Sequence, residues 1–220
     1  MKKIEIMPSY IYEYDMPEDL TKQALELAEN IKYKPTNARP NQSSLQMDVD
    51  KHLPKATKIV LDKMYEIVEQ NNFSIKKLKV VNAHANKTRC WEYHTPHNHD
   101  NTVFSCIWYL NTCECDTLFY RLNDWMDQWV NIYPQRIKGG GMGGTWVLKY
   151  LDWCDEEGKN LVKNFKPFVI HKQPSLAGKL IIFPAKMLHL TNKNKSLHSR
   201  YTITYNVFPT EFGQSTMTVK

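Results

Sequence analysis

Three of the chain's eight histidines fall within six residues, His94-Thr-Pro-His97-Asn-His99, with Asp100 next. An apolar run follows, Ser105-Cys-Ile-Trp-Tyr-Leu-Asn111. Residues two apart in a strand point to the same face, so His97 and His99 can aim both imidazoles at one point. A single buried histidine is usually a hydrogen-bonded core residue. Two at this spacing with a third nearby need partners for several ring nitrogens, and a metal ion supplies them. If the turn between keeps register, Ser105, Ile107 and Tyr109 continue the same face. Cys106, Trp108 and Leu110 then turn the other way, into packing.

A second chemical piece lies far downstream. Gly178-Lys-Leu-Ile-Ile-Phe-Pro184 has the composition of a buried strand, and His189 follows it after a short turn. The final strand opens with Arg200-Tyr-Thr-Ile-Thr-Tyr-Asn206, which sets Arg200, Thr202 and Thr204 on one face. A guanidinium pointing into a β-lined pocket is costly unless it meets an anion, and its planar fork fits a carboxylate. Two neighbouring ligands, a distant third and an inward Arg-x-Thr together lay out a metal site that also holds a dicarboxylate.

The elements that must position these groups change character along the chain. A loose alternation over residues 3–14 predicts an N-terminal strand. Pro17-Glu-Asp opens a helix, with Leu20, Ala24, Leu27, Ala28 and Ile31 as its apolar stripe. Residues 34–47 form a polar loop. A second helix covers about 54–70, with its stripe at Ala56, Ile59, Val60, Met64, Ile67 and Val68. Short β-type runs follow at 78–84, 89–94, 103–110, 117–121, 145–150, 166–171, 178–183 and 199–207, which suggests a sandwich or barrel. Helices first and strands after give an α+β fold with the N-terminal helices packed on one sheet. The chain divides into N-terminal support (1–75) and a β core (76–220) within one domain. A segment at 122–144 interrupts the strands and contains Gly139-Gly-Gly-Met-Gly-Gly144. It is either a plain loop or a lid hinge on which Trp125, Trp129, Trp146 and Trp153 close over a substrate.

Composition narrows the field. The chain is 42% hydrophobic and no window approaches about eighteen consecutive apolar residues, so a globular rather than membrane-spanning protein is expected. Met1-Lys-Lys-Ile-Glu-Ile lacks a signal-peptide core, and a cytoplasmic location is expected. Five cysteines, irregularly spaced, do not form a disulfide framework. Cys113-Glu-Cys115 is half of a thiolate metal site or simply two reduced cysteines. The +6 charge is scattered without a basic stripe, which argues against nucleic acid. His52, His84, His171 and His198 are expected on the surface or as core polar groups.

The order of these motifs resembles the Fe(II)/2-oxoglutarate-dependent dioxygenases. His97-Asn-His99 followed by Ser105-Cys-Ile-Trp-Tyr-Leu-Asn111 is similar to the metal motif and following strand of the prolyl hydroxylases. The whole is most similar to the compact 2-oxoglutarate/Fe(II) oxygenases of phages and marine bacteria. These carry His-x-His, then Ser and Tyr, then Gly-x4-Phe-Pro-x4-His and Arg. The match covers about residues 91–111 and 178–207; residues 112–177 match weakly. The resemblance implies a double-stranded β-helix (a jelly roll, cupin-like). It implies Fe(II) held by His97, His99 and the distal His189. It implies 2-oxoglutarate held by Arg200 with Thr202, Tyr109 and Ser105, and ascorbate as a stimulant. The implied reaction consumes dioxygen, converts 2-oxoglutarate to succinate and CO2, and hydroxylates a C–H bond of a protein side chain or small molecule. Nucleic-acid demethylases of the superfamily carry a second arginine six residues after the first, where this chain has Asn206.

The chain also departs from the pattern. The usual triad has two histidines and a carboxylate, and here His99 stands at the carboxylate position. Three neutral imidazoles leave the full metal charge in place, which favours a dianionic co-substrate but alters redox behaviour. Asp100 swinging in through a bulge is the alternative ligand, and His94 is a third candidate. Two other readings stay open: a three-histidine cupin-type dioxygenase that does not use 2-oxoglutarate, and a non-enzymatic β-sandwich binding module.

Overall fold

A computed structural model describes residues 10–35, 42–44, 48–99, 102–121 and 168–213. In chain order these form β1 (Tyr12–Asp15), α1 (Glu18–Asn30), β2 (Tyr33–Pro35), β3 (Gln42–Ser44), a 3-10 turn (Val49–His52) and α2 (Pro54–Gln70). Then come β4 (Ile75–Thr88), β5 (His94–His97), β6 (Phe104–Tyr109), β7 (Cys113–Arg121), β8 (Phe168–Ser175), β9 (Lys179–Pro184), β10 (Leu188–Thr191) and β11 (Arg200–Phe212). Asp100, the 122–144 segment, its tryptophans and the strand predicted at 145–150 lie outside the described residues.

Two antiparallel sheets form the core. The larger runs β1-β9-β6-β11-β4-β3-β2 and the smaller β5-β10-β7-β8. From β4 onward the chain crosses between them repeatedly: β4 large, β5 small, β6 large, β7 and β8 small, β9 large, β10 small, β11 large. That winding is a double-stranded β-helix, and the space between the sheets holds the site.

Strand parity assigns the two faces of the large sheet. Cys106, Trp108, Leu180, Ile182, Ile203 and Tyr205 share one apolar cluster with Ala24, Ala28, Ala56, Val60 and Met64 of the helices. Ile107, Tyr109, Ile181 and Phe183 face inward and pack with Phe119 and Met187. Pro54 at the first turn of α2 loses no helical hydrogen bond there, and its side chains at 56, 60, 64, 67 and 68 are buried. Each such burial contributes roughly 1.5–3 kcal/mol for the larger residues. The face expected to line the interior (Ser105, Ile107, Tyr109) and the face expected to pack (Cys106, Trp108, Leu110) are both found where alternation placed them.

Two expectations change. Residues 34–47 are not loop throughout: β2 and β3 pair with one another, and β3 pairs with β4 through Gln42↔Lys87 and Ser43↔Asn86. The open edge of β4 offers backbone partners that a polar segment can take without a hydrophobic pattern. The run at 78–84 is part of a longer strand, and residues 89–93 of the second run are turn rather than strand. β4 is continuous to Thr88 because β11 pairs along its length, from Arg200↔Thr88 to Phe212↔Ile75. The break comes at Trp91, in the left-handed region at φ 66°. His189 follows β9 after a short turn, as expected, with Met187 N–H bonded to the Pro184 carbonyl, and lies in β10, which pairs on both sides.

Candidate metal centre and carboxylate pocket

The small sheet brings the two histidine pieces together. His189 on β10 pairs directly with His97 on β5, and His99 is held just beyond by its backbone N–H donating to the Ala185 carbonyl at 2.8 Å. Ring centroids are 4.3 Å apart for His97 and His189, 5.2 Å for His97 and His99, and 5.2 Å for His99 and His189. One ring nitrogen from each of the three lies within 4.8 Å of the others, a spacing that a single ion can span.

Hydrogen bonding sets the tautomers. His189 Nδ1 lies 3.0 Å from the Met187 carbonyl, which can only accept, so Nδ1 carries the proton and Nε2 keeps its lone pair. His99 Nε2 is buried with no hydrogen-bond partner. The other such atom among the described residues is Trp108 Nε1, on the helix-facing side. An orphaned ring nitrogen inside a three-histidine cluster fits a missing metal. Burial, and next the neighbouring His97, hold His99 and His189 well below the ordinary histidine range, so both are neutral, as ligation requires.

Arg200 lies deeper. It is 3% exposed; Nε donates to Ser175 Oγ at 3.0 Å and an Nη donates to Thr117 Oγ1 at 3.0 Å. Tyr109 Oη donates to the same Thr117 oxygen at 2.7 Å, and the guanidinium carbon lies 5.1 Å from the Tyr109 ring centre. Burial pushes the Tyr109 phenol up to about 12, so it remains a donor. No ion pair of Arg200 is found among the described residues, which leaves a buried cation able to bind an anion. Thr202 is buried beside this group, opposite Tyr109 in the β6–β11 register. Ser105 sits toward the other end of β6; its hydroxyl donates to Asn206 Oδ1 at 2.9 Å, and Asn206 Nδ2 donates to Asn82 Oδ1 at 2.9 Å.

Register orders these groups into two rows across the small sheet. One contains His97, His189 and Phe119; the next contains His94, Thr191 and Thr117. The rows are two residues apart, about 6.6 Å along a strand. On β5, however, His94 and His97 are three residues apart. The extra residue is a bulge, and it turns His94 inward although simple alternation turns it out. Its ring packs on His97 at 4.1 Å between centroids, yet it is not one of the three clustered ligands. His84 is also inward, opposite Thr204, and burial pushes it down to about 4. Thr117, Ser175 and His84 were not assigned to the site from sequence, and His94 was considered there only as a possible metal ligand. Alternation along β7 points to Thr117 and alternation along β4 to His84, whereas no local signal marks Ser175. Cys113 and Cys115 gather no further ligand among the described residues.

The loops leading into both rows are tied together. Buried Asn194 donates from Nδ2 to the Thr88 and His198 carbonyls at 2.9 and 3.0 Å. Backbone bonds Trp91 N–H to the Asn194 carbonyl and Asn194 N–H to the Glu92 carbonyl complete the clamp. This pins the segment before His94 to the segment before Arg200.

Known structures with this fold are numerous. A Pseudomonas putida prolyl-4-hydroxylase aligns with TM-score 0.51 and 12% identity, covering 90% of this chain and 92% of that one. The two chains share the double-stranded β-helix fold. HygX from Streptomyces hygroscopicus, crystallised with nickel and 2-oxoglutarate, aligns with TM-score 0.59 and 10% identity over 93% of this chain and 85% of that one. A viral collagen prolyl hydroxylase from Paramecium Bursaria Chlorella virus-1, in complex with 2-oxoglutarate, aligns with TM-score 0.52 and 12% identity over 90% and 95%. No family model and no curated protein matches the sequence. No helix among the described residues is long and apolar enough to cross a membrane.

Proposed function

We propose that this protein is an Fe(II)- and 2-oxoglutarate-dependent dioxygenase that hydroxylates a C–H bond of a small molecule or protein side chain. The observation that carries the reading is Arg200. A buried guanidinium without an acidic partner among the described residues lies in the same inter-sheet space as a three-histidine cluster with an orphaned nitrogen. The fold shared with proteins crystallised with 2-oxoglutarate supports it. In this proposal His97, His99 and His189 hold the iron. Arg200 takes the far carboxylate of the co-substrate, with Thr202 beside it and Tyr109 fixing Thr117. Ser105 orients Asn206 on the same wall. Asp100 is the alternative to His99.

The bound iron would supply dioxygen activation coupled to oxidative decarboxylation of 2-oxoglutarate. The chain's own contribution is positional. Neutral imidazoles present lone pairs, Met187 fixes the ring of His189, and Ile107, Ile181, Phe183 and Phe119 keep water from the interior.

Anaerobic addition of Fe(II) and 2-oxoglutarate should produce a visible charge-transfer band, and aerobic turnover should release succinate. Absence of both in iron-loaded protein would refute the proposal. His99 in place of a carboxylate favours one second reading, a three-histidine dioxygenase without 2-oxoglutarate. It predicts iron binding with no response to 2-oxoglutarate and no effect of an Arg200 substitution.

A further inference from the structure

The register of the small sheet separates the histidines by task. His97 and His189 share the row that carries the metal cluster. His94 shares its row with Thr191 and Thr117, and Thr117 is the residue on which Arg200 and Tyr109 converge. His94 is therefore level with the carboxylate end of the pocket, about 6.6 Å along the strands from the metal row.

Its placement is built. The backbone N–H of His94 donates to buried Thr191 Oγ1 at 2.7 Å, which fixes the start of β5. The bulge between His94 and His97 turns the ring into the inter-sheet space. The ring packs at a tilt on His97, 4.1 Å between centroids, and lies within electrostatic reach of His99, Arg200 and His84. It therefore lies within reach of both the metal cluster and Arg200. A five-carbon dicarboxylate with one end on the metal and the other on Arg200 would span the two rows on which His97 and His94 lie.

From this geometry we infer that His94 is a co-substrate-binding residue. Its imidazole N–H donates to the Arg200-bound carboxylate of 2-oxoglutarate and so helps to select a dicarboxylate over a shorter keto acid. The inference rests on the function proposed above. A neutral imidazole always has one N–H to give, so the role needs no protonated histidine.

The test is calorimetric titration of nickel-loaded protein with 2-oxoglutarate and, separately, with pyruvate, which reaches only the metal end. His94→Phe should bind nickel within twofold of wild type and weaken 2-oxoglutarate about ten- to a hundredfold, the worth of one hydrogen bond to a charged group. Pyruvate affinity should not change. His94→Gln, which restores an N–H on a similar reach, should recover 2-oxoglutarate to within about threefold of wild type. Three results would overturn the inference: unchanged 2-oxoglutarate binding in His94→Phe, an equal loss for pyruvate, or loss of nickel. If wild type itself binds nickel but not 2-oxoglutarate, the proposed function falls, and this inference with it. If wild type binds and His94→Phe binds equally, only the inference falls.

Discussion

Replacing Arg200 by methionine keeps the aliphatic stem and removes the guanidinium. The structure argues for opposite effects on stability and on binding. In the free protein Arg200 donates to two neutral hydroxyls, Ser175 and Thr117. Each bond from the charged guanidinium is worth roughly 1.5–3 kcal/mol. Against that stands a cation with 3% exposure and no acidic partner among the described residues, whose burial costs several kcal/mol. Both hydroxyls can rotate, and Thr117 Oγ1 still accepts from Tyr109. The melting temperature of metal-free Arg200→Met should therefore hold or rise. A carboxylate held by two charge-assisted bonds gains roughly 3–6 kcal/mol, so 2-oxoglutarate affinity should fall about 10²–10⁴-fold. The assay pairs calorimetric titration of nickel-loaded protein with thermal melts of the metal-free form. An affinity within threefold of wild type, or a melting drop above about 6 °C, would refute the reasoning and make Arg200 structural.

Three further outcomes are expected. Asn194→Ala leaves the Thr88 and His198 carbonyls without their side-chain donor, so urea denaturation should show a loss of roughly 2–4 kcal/mol. Asn194→Asp should recover little of this, because it accepts but does not donate. Gly178 sits at φ +84°, and an added Cβ would meet Met16 O at 3.6 Å, an ordinary contact. Gly178→Ala should thus cost only the backbone term, about 1–2 kcal/mol by the same denaturation. Finally, His84, His94, His99 and His189 all have folded pKa values below the ordinary histidine value of 6.5, through burial first and then neighbouring His97. The unfolded chain takes up protons first, so stability is complete above pH 6.5 and falls as pH drops below it. For His84 the fall continues to about pH 4. Each group contributes up to about 1.4 kcal/mol per pH unit. Melting temperatures of metal-free protein between pH 7.5 and 5 should decline steeply, and a flat profile would contradict the burial of these rings.

Much of the fold was legible because its signals are local. The stripes of α1 and α2 repeat at helical spacing, and their apolar positions are mostly those that meet the sheet. The inward set Ser105, Ile107, Tyr109 and the outward set Cys106, Trp108, Leu110 follow from strand parity alone. The errors have a common cause. β2 and β3 exist because β4 has an edge to pair with, and β4 continues past residue 84 because β11 lies beside it. Neither partner is near in sequence, so no short window contains the cause.

The same division holds for the site. The sequence by itself determined which groups are available: imidazoles at 97, 99 and 189, a guanidinium at 200, and the parity that turns Tyr109 and Thr202 toward it. Residue type and alternation are local properties, and they carry the chemistry. Only the tertiary structure decided how those groups share the space. Pairing of β10 with β5 sets His189 opposite His97, and pairing of β7 with β10 sets Thr117 one row away beneath Arg200. A one-residue bulge then turns His94 inward against the alternation that the sequence implies. Register between strands distant in sequence comes from hydrogen-bond pairing and closure of the two sheets. A residue's level in the pocket follows from that register, not from its neighbours in the chain.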